Sequence, residues 1–141
     1  MRALLDVAQH QDQGPVLRRE IAARQELSAH YIEQLAVKLK SAGLLESVRG
    51  QGGGYLLAKG AHQITAGDVI RAVEGPIALV ECVAPGSRTP CRRVPRCVTH
   101  LLWKELSTQI EGFLDAVTLK DLCAQASVLE ASLKPGESQR P

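Results

Sequence analysis

One glycine-rich segment, SVRGQGGGYLL (residues 47–57), constrains the fold of this chain more than any other feature. Short apolar runs at 44–48 and 55–58 lie on either side of its glycines. Glycine adopts turn conformations that other residues avoid, so the segment predicts a β-hairpin with a flexible tip. The hairpin separates a helical pattern before it from further helical patterns after it.

Before the hairpin, three helices are predicted, at 3–10, at 17–25 and at 28–42. Ser28 is the expected N-cap of the third helix and Gly43 its C-terminal stop. The third helix has one apolar stripe, formed by Ile32, Leu35, Ala36 and Leu39. The second and third helices are joined by only a few residues, which is typical of a helix-turn-helix.

After the hairpin, Thr65 and Asp68 fit a capping box that opens a helix ending at Gly75-Pro76. A long amphipathic helix over 98–117 follows later. Thr118 and Asp121 repeat the capping pattern before a last short helix, and a polar tail is expected to be disordered. The apolar face of the long helix is formed by Leu102, Leu106, Ile110, Phe113 and Val117.

Composition limits the classes of protein that this chain can belong to. Apolar residues make up 45% of the chain but aromatic residues only 3%, so the core consists of aliphatic side chains, which favours helices. No apolar run is long enough to span a membrane, and the N-terminus lacks the pattern of a signal peptide. We therefore expect a cytoplasmic protein, in which clustered cysteines indicate a metal or redox site more often than disulfides.

The order of helix, helix, helix and glycine-tipped hairpin predicts a winged helix-turn-helix. On the third helix, the inward stripe leaves His30, Glu33, Gln34, Val37 and Lys38 on the outward face, where side chains of this kind suit base edges in a major groove. Basic residues that could meet phosphates are Arg18, Arg19, Arg24, Lys38, Lys40, Arg49 and Lys59. The alternative is a solvated helical surface beside a glycine turn.

A second group of residues has the spacing C-x8-C-x5-C-x2-H and consists of Cys82, Cys91, Cys97 and His100. Three thiolates and an imidazole can hold zinc or an iron–sulfur cluster. The alternatives are packed core cysteines and an RNA-binding CCCH zinc finger, although this segment lacks the aromatic side chains on which bases would stack. Cys123 stands apart on the last helix and is expected to be a packed thiol.

Three segments of the chain resemble the IscR-type iron–sulfur cluster regulators of the Rrf-two superfamily of bacterial repressors. They are LSAHYIEQLAVKLKSAGLLESVRGQGGGYLLAKG, ITAGDVIRAVEGPIALVECV and CVTHLLWKELSTQIEGFLDAVTLKDL. The resemblance implies a homodimeric regulator that binds double-stranded DNA, with a [2Fe-2S] cluster on Cys82, Cys91, Cys97 and His100. It places base contacts on His30, Tyr31, Glu33 and Gln34 and a wing contact on Arg49. The complete candidate DNA-binding set is Ser28, His30, Tyr31, Glu33, Gln34, Lys38, Arg49, Gly50 and Gln51.

The resemblance also predicts the domain organisation. The expected parts are a winged helix-turn-helix DNA-binding domain at 1–76, a cluster-binding loop at 77–100, a dimerisation helix with a short terminal helix at 101–130, and a disordered tail at 131–141. Dimerisation is expected through residues 101–117. The fold class is therefore mainly α, with a small β-hairpin wing and a long C-terminal dimerisation helix.

The chain departs from the family pattern at two places. It opens inside the family's first helix, so we expect either a truncated start or a short first helix, and the sequence does not include the N-terminal carboxylate with which some relatives bind a [4Fe-4S] cluster. The gap between Cys82 and Cys91 is also longer than is typical of the family. No enzyme motif is present, and the predicted function is cluster-controlled transcription regulation that senses iron–sulfur status or redox or nitric oxide stress. Zinc or thiol-redox control and a [4Fe-4S] cluster are the alternatives.

Overall fold

The computed structural model describes residues 1–88 and 90–133 of the chain. Its helices and strands confirm a mainly α fold with one small antiparallel hairpin. The helices are α1 (Arg2–His10), α2 (Arg18–Gln25), α3 (Ala29–Ser41), α4 (Ala66–Glu74), α5 (Val98–Ala116) and α6 (Leu119–Leu133), and the strands are β1 (Leu45–Val48) and β2 (Gly54–Leu57). Leu45 pairs with Leu57 and Val48 with Gly54.

The core lies where the first three helices meet the hairpin and the start of α6. Leu4 of α1, Ile21 of α2 and Ile32 of α3 are almost completely buried there, as are Ile64 and Leu119. Each such side chain stabilises the fold by roughly 1.5–3 kcal/mol relative to an exposed one. In the predicted stripe of α3, Ile32, Ala36 and Leu39 are buried and Leu35 is partly buried.

The predicted ends of α3 are confirmed. The Ser28 hydroxyl accepts a hydrogen bond from the Tyr31 backbone N–H at 3.1 Å. Gly43 has φ +71°, and the Leu44 N–H donates to the Leu39 carbonyl at 3.0 Å, closing a Schellman motif. Both ends of this helix are therefore set by the local sequence.

The hairpin is held to the start of the helix-turn-helix by its backbone. The N–H groups of Val16 and Tyr55 each donate to the other residue's carbonyl at 2.9 Å. A Cβ atom on Gly54 would collide with the Val16 carbonyl, so only glycine fits this approach. Leu57 N–H adds a bond to the side-chain oxygen of Gln11 at 2.9 Å. The wing and the segment that leads into α2 therefore move as one unit.

A second backbone bridge joins the start of α4 to the junction of α5 and α6. Ala66 N–H donates to the Val117 carbonyl at 2.8 Å, and Leu119 N–H donates to the Ile64 carbonyl at 2.9 Å. The capping box that the sequence predicts at Thr65 is confirmed, since the Asp68 carboxylate accepts from Thr65 N–H at 3.0 Å. The predicted box at Thr118 is confirmed in the same way.

Two predicted boundaries differ in the structure. Helix α6 was expected to be short, but it has 15 residues and continues to Leu133, so residues 131–133 of the predicted tail are helical. The rest of that tail, residues 134–141, lies outside the described residues. Helix α5 begins at Val98, so the irregular loop ends at Cys97 and His100 lies in the first turn of the helix. None of the helices in the described part of the chain is long and apolar enough to cross a bilayer.

A buried ion pair that the sequence did not reveal connects α1 to α2. The Asp6 carboxylate is 1% exposed and accepts two hydrogen bonds from Arg24, at 2.9 and 2.8 Å. Gln25 donates a third bond at 3.0 Å. Burial alone would raise the pKa of Asp6, but the bonds from Arg24 and Gln25 outweigh it, so the pKa lies below its ordinary value of 3.8.

Asp6→Asn is expected to lower the free energy of unfolding by about 1–3 kcal/mol, because Arg24 loses its anionic partner. Since the pKa of Asp6 is lowered in the folded state, its contribution is fully present above the ordinary value near 3.8 and is lost as pH falls through the lowered value. Urea denaturation at several pH values measures both effects. The matched control is Asp12→Asn, an exposed carboxylate. Equal stability of the two variants at neutral pH would contradict the prediction.

Candidate DNA interface and cluster site

The outward face of α3 carries the residues that the sequence predicts to read DNA. His30, Tyr31, Glu33 and Gln34 are all on the solvent side of the helix. The Gln34 side-chain amide lies 3.1 Å from the His30 ring nitrogen Nε2, so these two side chains support each other one turn apart. Polar groups near the start of an exposed helix can form hydrogen bonds with base edges.

Glu33 is not an isolated negative charge on this face. Its carboxylate lies 3.0 Å from the guanidinium of Arg18, at the start of α2, and both side chains are about half exposed. The pair neutralises an arginine that the sequence assigns to phosphate contacts. Such an exposed pair contributes less than about 1 kcal/mol to stability.

The Lys38 side chain contacts a different element from the other candidates on α3. Its ammonium group donates to the backbone carbonyl of Val73 at 2.9 Å, near the C-terminal end of α4. A cation at the end of a helix dipole is stabilised by the unpaired carbonyls there. The Lys38 side chain therefore bridges α3 and α4.

The wing tip is built by glycine conformations. Gly50 has φ +101°, and Gly53 N–H donates to the Gly50 carbonyl at 3.0 Å. A Cβ atom on Gly53 would collide with the Val48 carbonyl, so the tight turn requires glycine there. Arg49 and Gln51 are exposed at this tip. Their side chains stand on a narrow loop that can approach a minor groove.

The predicted cluster ligands are only partly brought together. Cys82 lies in a short 3-10 turn, and its sulfur is 3.4 Å from Nδ1 of His100 in the first turn of α5. Cys97 is the N-cap of α5, and Cys91 is exposed in the loop between them. Within residues 1–88 and 90–133, no three His, Cys, Asp or Glu side chains are grouped closely enough to hold one metal ion.

The environment of Cys97 favours the thiolate that binds metals. Its sulfur is 3.0 Å from the Thr99 hydroxyl. This hydrogen bond, with a further one from the His100 backbone N–H, holds the pKa of the Cys97 thiol below its ordinary value. A sulfur at a helix N-terminus also lies at the positive end of the helix dipole.

Helix α5 presents three of the five residues of its predicted apolar face to solvent. Phe113 is 70% exposed, Leu102 58% and Leu106 38%, whereas Ile110 and Val117 are half-buried against the rest of the chain. Three exposed side chains of this size along one side of a helix indicate a surface that another molecule covers.

The opposite side of α5 is fixed by polar contacts that sequence reasoning missed. The buried Ser107 hydroxyl accepts from Leu79 N–H at 3.3 Å, and Asp115 forms an ion pair with Arg71 of α4. The sequence signal that could have identified Ser107 is its position: it is a small polar residue on the side of the helix that carries half-buried Trp103 and Leu114. These contacts orient α5, so its exposed face has a defined direction.

A helix-turn-helix with a hairpin wing, followed by a long helix with an exposed apolar face, defines a winged-helix regulator of transcription. Comparison with known families agrees, because the family model Rrf2, described as an iron-dependent transcriptional regulator, matches residues 1–125. The chain belongs to the Rrf2 family. It is therefore a transcriptional regulator and not an enzyme.

Individual relatives support the same assignment. The chain is 46% identical over 130 residues to the HTH-type transcriptional regulator IscR of Vibrio parahaemolyticus, covering 92% of this chain and 76% of that protein. It is 43% identical to IscR of Cronobacter sakazakii, over 99% of this chain and 85% of that protein.

Two solved structures have the same fold. The structure of T. potens IscR matches with a TM-score of 0.74 at 38% identity, over 96% of this chain and 86% of that chain. The structure of CymR, the global cysteine regulator of B. subtilis, matches with a TM-score of 0.69 at 38% identity, over 86% of this chain and 88% of that chain.

Glu33→Gln is expected to strengthen binding to random-sequence duplex DNA and to make that binding more dependent on salt, because Arg18 becomes free to contact a phosphate. An operator can be selected from a random library by the wild-type protein, and binding to it should change less. The ratio of operator affinity to random-sequence affinity should therefore fall. Fluorescence anisotropy titrations at several salt concentrations measure both quantities. The control is Glu130→Gln, an exposed carboxylate on α6. Unchanged discrimination would show that Glu33 is an ordinary surface charge.

Proposed function

We propose that this chain forms a homodimer that binds operator DNA under the control of a [2Fe-2S] cluster held by Cys82, Cys91, Cys97 and His100. The observation that carries the proposal is the 3.4 Å approach of the Cys82 sulfur to the His100 ring. It joins the loop that leaves the winged domain to the first turn of the long helix. A cluster bound there would connect the DNA-reading part of the chain to α5.

The chemistry of the residues fits such a group. Three thiols and an imidazole form a sufficient ligand set, and hydrogen bonds from Thr99 and His100 lower the pKa of the Cys97 thiol toward its metal-binding thiolate form. Between Cys82 and Cys91, the Ser87 hydroxyl is buried without a hydrogen-bond partner among the described residues. A hydroxyl in that state is available to donate to a cluster sulfur or to a cysteine ligand.

When bound, the cluster supplies a centre whose occupancy depends on iron–sulfur availability and on oxidants. The His100 side chain has to be neutral to act as a ligand, so binding weakens in acid. The prolines at 85, 90 and 95 and the glycine at 86 leave the loop irregular, which allows Cys91 and Cys97 to approach the pair already formed. The response of the chain is therefore an ordering of the loop.

Ordering of this loop would be transmitted to DNA through two contacts of α4. At one end, Val73 bonds to Lys38 of the reading helix. At the other end, Ala66 bonds to Val117 beyond the dimer helix. Two reading helices that bind one face of a duplex have to lie about 34 Å apart or a multiple of that distance. A change at the start of α5 that alters this spacing changes the affinity for the operator.

Dimerisation is proposed through the exposed part of the α5 face, with residues 101–117 as its centre. Helix α5 has 19 residues and would be about 28 Å long at ~1.5 Å per residue. Burial of Leu102, Leu106 and Phe113 against a second copy contributes roughly 1.5–3 kcal/mol for each side chain. The dimer should therefore persist when the cluster is absent.

The proposed DNA contacts are those of the reading helix and the wing, with Ser28 capping the helix that presents them. The base contacts are assigned to His30, Tyr31, Glu33 and Gln34, and the wing contacts to Arg49, Gly50 and Gln51. For Lys38 we propose a positioning role through Val73. Binding to DNA takes place in the cytoplasm in this proposal.

Protein purified without oxygen is expected to be reddish-brown, with iron and sulfide in equal amounts. Cys97→Ala and His100→Ala should remove the visible absorbance, because each deletes a ligand. The matched control Cys123→Ala should keep it, since Cys123 lies on α6, away from the loop. A colourless wild-type protein that retains zinc would establish the zinc alternative, and one that binds no metal but responds to oxidant would establish a thiol switch.

Phe113→Glu is expected to convert the dimer to a monomer, because a carboxylate cannot be buried without a partner in an apolar interface. Multi-angle light scattering measures the mass directly. The control is Thr108→Glu, which introduces the same charge on the same helix at a polar exposed position. A dimer of unchanged stability in Phe113→Glu would remove α5 as the interface.

A further inference from the structure

The positive charge of this chain is concentrated outside the domain that reads DNA. Residues 1–76 contain nine Lys or Arg and eight Asp or Glu, a net charge of only +1. Residues 77–104 contain five Lys or Arg and one Asp or Glu, a net charge of +4, which exceeds the +2 of the whole chain. From residue 82 to residue 104 the sequence has no acidic residue.

Most of the excess charge comes from four arginines, which we call the arginine loop: Arg88, Arg92, Arg93 and Arg96. All four side chains are exposed. None of them forms an ion pair or a side-chain hydrogen bond with any other residue that the structure describes. Exposed arginines without partners repel one another, so their concentration in one loop indicates an anionic ligand.

In the winged domain, by contrast, four of the nine Lys and Arg side chains are already held by a carboxylate or a backbone carbonyl. Arg18 is paired with Glu33, Arg24 with Asp6 and Arg71 with Asp115. Lys38 is bound to the Val73 carbonyl. DNA binding depends strongly on cations that neutralise phosphates, and this domain contributes fewer of them than its sequence suggests.

We propose that the arginine loop binds phosphates of the DNA duplex beside the bases that α3 reads. All four residues are arginine and none is lysine, and the planar guanidinium forms paired hydrogen bonds with phosphate oxygens. DNA is favoured over an acidic protein because DNA is the polyanion of this family of regulators and because the winged domain is nearly neutral. An acidic protein partner is one outcome of the experiment that tests the proposal.

The connections of the loop place it within reach of the duplex. It leaves the winged domain at Gly75, two residues after the carbonyl that Lys38 contacts. The ten residues of α3 from Ala29 to Lys38 span about 15 Å, so the loop starts about that far along the helix from the first reading residues. The segment is held against α5 at Leu79 and Cys82. From Cys82 to Arg88 the chain can extend over at most about 22 Å, which sets the distance over which its arginines can reach phosphates.

Control of these contacts by the cluster rests on the proposed function. Arg92 follows Cys91 and Arg96 precedes Cys97 in the sequence, so ordering of the cysteines also orders the arginines. A loop held in one conformation loses less entropy when its side chains bind phosphates. The cluster would then regulate sequence-independent affinity as well as the spacing of the reading helices.

The test is the salt dependence of binding to a random-sequence duplex and to an operator selected by the wild-type protein. The variant replaces all four residues, Arg88→Gln, Arg92→Gln, Arg93→Gln and Arg96→Gln. The slope of log affinity against log salt should fall by about 0.9 for each phosphate that is no longer neutralised, or about 1.8 for each arginine position in a dimer. Affinity for both duplexes should fall by a similar factor.

Three controls identify the source of the effect. Lys120→Gln removes one charge on α6 and should leave the slope unchanged. Replacing the four arginines with lysine should restore most of the slope but less of the affinity. Visible absorbance reports cluster content. If the fourfold glutamine variant loses the cluster, the single variant Arg88→Gln is used in its place, because Arg88 lies three residues before the nearest ligand.

If a cluster-loaded variant keeps the wild-type salt slope, the arginines do not contact phosphates. The cluster proposal then stands, and an acidic protein becomes the expected ligand of the loop. A colourless wild-type protein whose slope still falls on replacement supports the phosphate contact and refutes the cluster proposal. If apo and cluster-loaded protein have the same slope, and this slope falls equally on replacement, the arginines bind phosphates without control by the cluster.

Discussion

Two backbone hydrogen bonds, from Ala66 to Val117 and from Leu119 to Ile64, are the connection on which the rest of this molecule depends. They hold the C-terminal end of α5 against the first turn of α4. The Arg71–Asp115 ion pair lies beside them and reinforces the same end. Hydrogen bonds between backbone groups do not depend on side-chain rotamers, so this end of the helix keeps a fixed relation to the winged domain.

The other end of α5 is attached less firmly. Its first turn is connected to the winged domain through the irregular loop and the Cys82–His100 contact, whereas the bond from Leu79 to Ser107 lies near the middle of the helix. A helix that is fixed at one end and adjustable at the other converts a small local change into a change of direction. In a dimer, the direction of α5 determines how far apart the two reading helices lie. The ligand residues occupy the adjustable end.

Much of the fold could be predicted because local sequence determines it. Ser28, Thr65 and Thr118 cap helices through contacts within three residues, and the glycines of the wing permit backbone positions that other residues cannot adopt. The length of α6 was underestimated because no breaker precedes Pro135, and a run of good helix formers continues to Leu133. A short capped pattern does not reveal how far a helix extends.

Contacts between distant residues could not be predicted in this way. The pairing of Asp6 with Arg24 and of Arg18 with Glu33 depends on how α1, α2 and α3 pack. Helical spacing puts Lys38 on the outward face of α3 with the DNA-reading residues, but it does not give the neighbours of a long side chain. Its contact with Val73 is a consequence of the packing of α4 on α3.

The ligand group shows the same limit for a physical reason. Spacing in the sequence identifies Cys82, Cys91, Cys97 and His100 as one set, whereas the structure brings only Cys82 and His100 into contact. Thiolates repel one another, and three of them close together are stable only around a cation that neutralises them. Binding of the metal group would therefore supply the free energy that assembles this site, because metal binding and local folding are coupled. A chain that uses such a loop as a sensor needs it to be unassembled without its ligand, since a loop with one fixed conformation could not report occupancy.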